Sequence, residues 1–384
     1  MSLDFTAMGA LDPRITFSRA DATARATFIN SQGYVTTVAT AQAPRFDFDP
    51  TTLVPKGLLI EAPATNIIRG SQTIAGTEWS SSTPNFTVTL NTTDLVAPNN
   101  TNTATKLVYV SGYARAVQTS ITVVPNTTYT FSYWIKSTGG CFWKIYNASG
   151  GSFIIQDIAI FASANWQRIT QTFTTPAGCT EIWAYVADSA GAGTYYVWGA
   201  QIELGSQASS YIATTTASIT RAADTALMTG TNFSSWYTGD LTGTFVTEWF
   251  YGATSTAANT VIATCDVARQ HLHQYVAATT GRLRLANKVP VIIETANAIT
   301  NNAINEGAFS YQASIAQSLC LNGGTVATGA FVHSENPTWF SIGGVSSNGT
   351  SITDITTMLN NSIRKIKYFP TRLSDAQIKA ISTL

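Results

Sequence analysis

Residues 129–136 read YTFSYWIK, an eight-residue run in which every second side chain is an aromatic ring or a branched aliphatic. Side chains on a strand point alternately to its two faces, so Tyr129, Phe131, Tyr133 and Ile135 share one face and Thr130, Ser132, Trp134 and Lys136 share the other. The first set is expected to be core. The same period, or a run of β-branched and aromatic residues between turn clusters, recurs in CFWKIYN (141–147), WQRITQTFTT (166–175), TEIWAYVAD (180–188), TYYVWGAQIEL (194–204), GTFVTEWFY (243–251) and RLRLA (282–286). In 180–188, Ile182, Ala184 and Val186 alternate with Glu181, Trp183 and Tyr185, so Trp183 and Tyr185 are expected to point away from the core, as Trp134 does. Many short strands with turn punctuation and almost no helical pattern predict an all-β chain of antiparallel β-sandwiches.

One helix is predicted, at the end. SIRKIKYF (362–369) alternates as a strand but leaves its buried face ambiguous, and Pro370 stops it. In LSDAQIKAIST (373–383), Ser374 with Gln377 three residues on reads as a capping box, and Leu373, Ile378 and Ile381 form a short apolar stripe. That stripe is expected to cover the edge of a sandwich.

The chain has 384 residues, 45% of them hydrophobic, which is enough for two or three cores. Only 11% are charged, with 21 basic against 21 acidic, so the chain lacks the charge footprint that nucleic acid or an anionic membrane surface selects. Cys141, Cys179, Cys265 and Cys320 are scattered and form no CxxC pair, and are expected to be packed thiols. No basic-then-apolar leader and no run of about eighteen apolar residues is present, so the expectation is a product made in the cytoplasm without a signal peptide and without membrane insertion.

Three segments separate: an N-terminal β segment over 1–70, a sandwich rich in Trp and Tyr over 71–212, and a second sandwich over 213–384. TFSRADATA (16–24) and SITRAADTA (218–226) are close copies, which places Arg19 and Arg221 in equivalent strand settings. From this follows the expectation that the N-terminal segment lends strands to the last sandwich and that 71–212 is an insertion.

Long phrases support a family reading. PRFDFDPTTLVPKGLLIEAPATNII (44–68) and YVWGAQIELGSQASSYIATTTASITRAAD (196–224) resemble phrases of bacteriophage tail-fibre and head-spike proteins, and the ending from SLCLNGG (318–324) through WFSIGG (339–344) to IRKIKYFPTRLSDAQI (363–378) is similar to the last strands of laminin-G-like or concanavalin-like jelly rolls carried by the same proteins. Ala64 and Ala213 depart from the family, which commonly has Arg and Pro there; the loss of Pro is expected to loosen the linker. The resemblance implies a carbohydrate-binding-module-like sandwich over 71–212, a jelly roll over 213–384, and a virion component, often trimeric, that meets host surface glycan and other virion proteins.

Sugar rings stack their C–H face on flat aromatics and need polar partners at the rim. Trp134, Trp183 and Tyr185, with Glu181 and Lys136 beside them, would form such a platform if their strands are neighbours in one sheet; the alternative is that these rings cover a neighbouring domain or subunit. His271 and His273 have a spacing that could ligate a metal, but the remaining histidine, His333, brings no further ligand motif, so structural histidines are expected and no metal or cofactor. Asp47 and Asp49 could hold a hard cation, against the reading that Asp49 sets a turn with Pro50 and Arg45 pairs with one of the two. No nucleophile elbow, zinc helix or phosphate loop occurs. Glu248, Glu294, Glu306, Asp266 and Asp354 are unpaired by any motif, so no catalytic residue is assigned. The functional expectation is host attachment through glycan; the alternatives are a structural capsid or tail decoration, and a polysaccharide-degrading enzyme or bacterial adhesin.

Overall fold

The computed structural model describes all residues except 8–9, 82–85, 111–113, 190, 240, 253–257, 268–269, 279, 288–291, 332–335 and 384, and except the side chains of 114, 189 and 287. The chain is all-β, in several antiparallel sheets that pair face to face. Two of them hold the middle of the sequence. One orders Ser163–Thr174, Thr128–Ser137, Gly193–Leu204, Thr105–Tyr109 and Phe86–Thr89; the other orders Ser152–Ile160, Cys141–Asn147, Glu181–Ser189, Ala114–Thr122 and Ser80–Ser81. Tyr129, Phe131, Tyr133 and Ile135 meet Trp143, Ile145, Ile182, Ala184 and Val186 in one buried core between them. The alternation in 129–136 and 180–188 therefore reads out the inner faces directly.

The other two large sheets mix strands from both ends of the chain. An eight-stranded sheet runs Ala327–Gly329, Ala316–Leu321, Ala303–Gln312, Thr242–Tyr251, Asn361–Phe369, Pro55–Ile60 and Phe46–Phe48, with Ser2–Asp4 also paired to Asn361–Phe369. A seven-stranded sheet runs Thr16–Arg19, Asp224–Thr229, Trp339–Ile342, Asn259–Cys265, Gln270–Val276, Arg282–Asn287 and Ile292–Ala298. Their facing sides bury Phe245, Trp249, Phe309, Ile363, Val261, Leu283 and Phe340 together with Leu3, Leu58 and Ile60. Residues 1–70 thus do not stand apart: they supply strands to both sheets. Gly57 shows how close this pairing is, since a Cβ at its φ of 102° would collide with the Ile363 carbonyl.

The last strand explains its own ambiguity. Ile363 and Ile366 are both fully buried although three apart, because the register slips between Glu248 and Trp249 on the partner strand. The following helix, Asp375–Ile381, has the capping box of Ser374 and Gln377. Its position corrects the expectation that it guards an edge. Ile378 packs on Val246, Ala308 and Cys320, the outer face of three neighbouring strands, with Leu373 and Ile381 alongside. Apolar residues on that outer face needed cover, and the helix supplies it. All four cysteines are buried and free.

A buried ion cluster joins the parts. Arg45 pairs with Glu61 at 2.6 Å and with Asp224, Arg19 pairs with Asp224 at 2.8 Å, and Arg221 lies 3.5 Å from Glu61. All five side chains are at or near zero exposure. Glu61 also accepts from Ser210 N–H and Ser210 Oγ, both at 2.7 Å, which ties the segment following the middle sandwich into the cluster. Burial pushes the Glu61 carboxyl up, but Arg221 and Arg45 outweigh it and hold it at about 2. The two copied phrases clasp each other here: Asp21 of the first accepts from Ala222 N–H of the second at 2.8 Å, and Asp224 of the second takes Arg19 of the first. The linker expected to loosen at Ala213 is fastened one residue on, where Thr214 bonds Ser71 and the Ile68 carbonyl.

Candidate functional site

The structure places the sequence-predicted site residues on two different sheets. Trp134 and Lys136 lie on Thr128–Ser137, whereas Glu181, Trp183 and Tyr185 lie on Glu181–Ser189 of the opposite sheet, so the platform of all five does not assemble. Both sets do face away from the shared core, but in opposite directions. Trp134 is only 8% exposed and packs edge-on against Trp198 and Tyr211, with ring centroids 5.2 and 5.7 Å away, in a small core with Val35 of the N-terminal segment. Gly199 makes this fit possible, since a Cβ there would stand 2.9 Å from the Trp134 ring. Trp134 therefore fills a junction between segments. Lys136 stays half-buried on the same sheet, beside Tyr196.

The other face carries an aromatic row. Register sets Phe153 opposite Tyr146 and Tyr146 opposite Trp183, on three adjacent strands. Strands lie about 4.8 Å apart, so the three rings span about 10 Å across the sheet. Tyr146 is 5.1 Å from Phe153 and 5.2 Å from Trp183, and Phe153 is 6.2 Å from Tyr185. Phe153 is 39% exposed, Tyr146 and Trp183 are half-buried, and Tyr185, two residues along the strand from Trp183, is buried beside Phe153. Desolvation raises the Tyr185 hydroxyl pKa.

Polar groups rim the row. Trp183 Nε1 donates to Glu181 Oε1 at 3.0 Å, which fixes the indole plane. Arg115 stacks over Tyr185 at 5.5 Å, and Lys144 reaches Asp157 at 3.0 Å and Asp188 at 3.3 Å. Burial raises the Asp188 carboxyl, with Lys144 opposing. Tyr146 and Phe153 escaped the sequence reading, although CFWKIYN alternates Phe142, Lys144 and Tyr146 on its outer face. Only the pairing of strands shows that Tyr146 and Phe153 adjoin Trp183.

The remaining candidates separate. His271 Nε2 pairs with Asp266 at 2.8 Å, while His273 Nε2 bonds Thr260 Oγ1 at 2.9 Å and stacks on Tyr275, so the two rings have different partners. Desolvation lowers His273 to about 4. His333 lies outside the described residues. Among the described residues no group of three His, Cys, Asp or Glu side chains could hold a metal ion. Asp49 caps its turn by accepting from Thr51 and Thr52 N–H at 3.0 and 2.8 Å. Arg45 pairs with neither Asp47 nor Asp49, because Glu61 and Asp224 are the carboxylates at its buried end. Of the acidic residues of the last segment, Glu294 holds Arg282 at 3.2 Å, Asp354 caps the short turn at Ile355–Thr357, and Glu248, bound to Arg364 and Lys365, stands directly opposite Glu306.

No family model and no curated protein matches the chain. Solved structures give partial likenesses. The CBM40 of the Ruminococcus gnavus IT-sialidase is 16% identical with a TM-score of 0.32, over 38% of this chain and 85% of that one. The enzymatically active domain of bacteriophage CBA120 tailspike protein 4 is 19% identical with a TM-score of 0.32, over 36% of this chain and 21% of that one. A CBM4 structure is 15% identical with a TM-score of 0.23, over 31% of this chain and 93% of that one. At these scores the likenesses carry no functional argument, and the chemistry of the site has to do so.

Proposed function

We propose that this chain is a glycan-attachment protein of a phage spike or tail fibre, working as a non-catalytic homotrimer in the virion, and that it holds host surface carbohydrate on the row Phe153, Tyr146 and Trp183. The row carries the reading. Three rings in register, tilted 40° and 68° to one another, offer apolar surface to successive sugar rings, while Glu181 and Arg115 stand beside them as partners for ring hydroxyls. Cations and carboxylates are mixed at the rim, which suits a neutral glycan. The phage assignment rests on the long phrases at 44–68 and 196–224. Glycan-array binding and adsorption to host cells test it: Trp183→Ala and Tyr146→Ala are expected to abolish both, and retention of both by the two variants would refute the site.

A second reading has its own support. Phe161 is 81% and Ile158 41% exposed along and just past the edge strand Ser152–Ile160, at the end of that strand away from Phe153, and exposed apolar residues also serve subunit contacts. A structural decoration protein would assemble through this edge and bind no glycan; sedimentation of Phe161→Ser against the parent separates the two.

A further inference from the structure

A cavity of 260 Å³ opens where the N-terminal segment, the middle sandwich and the C-terminal strands meet. It lies on the Trp134 side, across the sandwich from the aromatic row. Trp134 and Phe250 supply apolar wall, and Asp47, Lys56 and Asn360 supply polar groups. Asp47 Oδ1 accepts from Ile29 N–H at 2.7 Å, and no other hydrogen bond reaches this carboxylate among the described residues. Lys56 Nζ sits 4.4 Å over the Phe250 ring and 3.8 Å from Asp49, beyond hydrogen-bond range. Asn360 accepts from Ala62 N–H at 2.7 Å through Oδ1, which leaves its amide NH₂ as a donor. On the far wall Arg168 stacks 4.5 Å over Trp134, already engaged with the Ser209 carbonyl and Ser132 Oγ.

An unspent acceptor, unspent donors and apolar ring surface partly covered by Arg168 and Lys56 in one cavity define a ligand class. A hydroxyl donates to a carboxylate and accepts from an ammonium or amide, so a polyhydroxylated ring satisfies all three polar groups at once. A charged ligand would meet a like charge, since Asp47 and Lys56 balance. The volume lies just under the roughly 300–1,000 Å³ of pockets for drug-sized ligands, room for one ring and no chain. We propose that this cavity binds a single neutral sugar ring, at a site separate from the aromatic row. Burial raises Asp47 to about 6, despite Lys56 and Arg45 nearby, as expected of a carboxylate awaiting a partner.

The test titrates the full chain near neutral pH with glucose, galactose, mannose and N-acetylglucosamine, by calorimetry and saturation-transfer NMR. At least one is expected to bind saturably, with affinity lowered about tenfold or more by Asp47→Asn and at least about threefold by Lys56→Gln, and unchanged by Trp183→Ala. Asp47→Asn keeps an acceptor for Ile29; should it still unfold the chain, Lys56→Gln at a half-buried side chain is sufficient to decide the matter. Absence of binding by all of these sugars, or binding that survives Lys56→Gln unchanged, overturns the proposal. Loss on Trp183→Ala alone also overturns it, by assigning the sugar to the row.

Discussion

Replacing Arg45 with methionine removes the centre of the buried ion cluster while keeping most of the side-chain volume. Arg45 donates to Glu61, Asp224 and the Thr27 carbonyl at 2.9 Å, all buried, and to the half-buried Ser210 Oγ at 2.7 Å. Deleting one partner of a buried pair typically costs about 3–5 kcal/mol, because the other charge is left without compensation. Here Glu61 keeps Arg221 at 3.5 Å and Asp224 keeps Arg19 at 2.8 Å, which places the loss near the lower end, at about 3 kcal/mol. For sandwiches of this size that corresponds to a drop of about 6–12 °C in midpoint. Thermal and urea unfolding measure the loss, and limited proteolysis locates it. Because Ser210 is fastened by Glu61 and Arg45 of this cluster, with Gln201 close to its carbonyl, cleavage is expected to rise around residues 205–218. Adding Asp224→Asn to Arg45→Met is expected to cost about 1–2 kcal/mol less than the summed single losses, since the Arg45–Asp224 contact is removed by either change and lost only once, even though Arg19 is then left without its carboxylate. A single-variant loss below about 1 kcal/mol, or strict additivity in the double, would refute the argument that the cluster acts as a unit.

Further outcomes follow from other elements. Trp183→Ala is expected to weaken glycan binding at least about tenfold while shifting unfolding by less than about 1 kcal/mol, because the ring is half-buried and contacts mainly Tyr146 and Glu181. Ile378→Ala empties the contact between the last helix and Val246, Ala308 and Cys320, and is expected to cost about 2–4 kcal/mol in urea unfolding. Ser374→Ala breaks the capping box at the start of that helix, for about 1 kcal/mol by the same measurement. His273 is held near 4 in the fold against 6.5 when unfolded, so its neutral form favours folding above pH 6.5 and that stability is lost as pH falls toward 4. Asp47, raised to about 6, acts oppositely, since its protonation on acidification relieves a buried charge. His273→Gln should therefore make the protein gain stability between pH 7 and pH 4.5 relative to the parent, and an unchanged pH profile would contradict the desolvation of that ring.

The site was half legible. Alternation gave Trp183, Tyr185 and Glu181 their outward side correctly, because which face a strand residue takes depends only on its neighbours in sequence. Trp134 and Lys136 were also turned outward, yet alternation carries no information on which sheet a strand joins, and theirs is the opposite one. Tyr146 and Phe153 were missed for the same reason: a row across three strands exists only once register is set. The ion cluster was hidden more deeply. Arg45 and Asp224 are separated by 179 residues, and no local pattern links an R-F-D phrase to a distant R-A-A-D phrase; the two copied phrases bore only on Arg19 and Arg221.

What the linear chain determined by itself was everything governed by short-range physics: the all-β class, the inner faces of the middle sandwich, the capped terminal helix and the free buried thiols. Tertiary structure alone decided which strands of the first 70 residues join which sheet, that the final helix lies on a sheet face, and that two outward-facing tryptophans never meet. The division has one cause: side-chain direction along a strand follows from covalent geometry, whereas strand neighbours are chosen by the burial of whole faces, a property of surfaces that form only when distant segments come together.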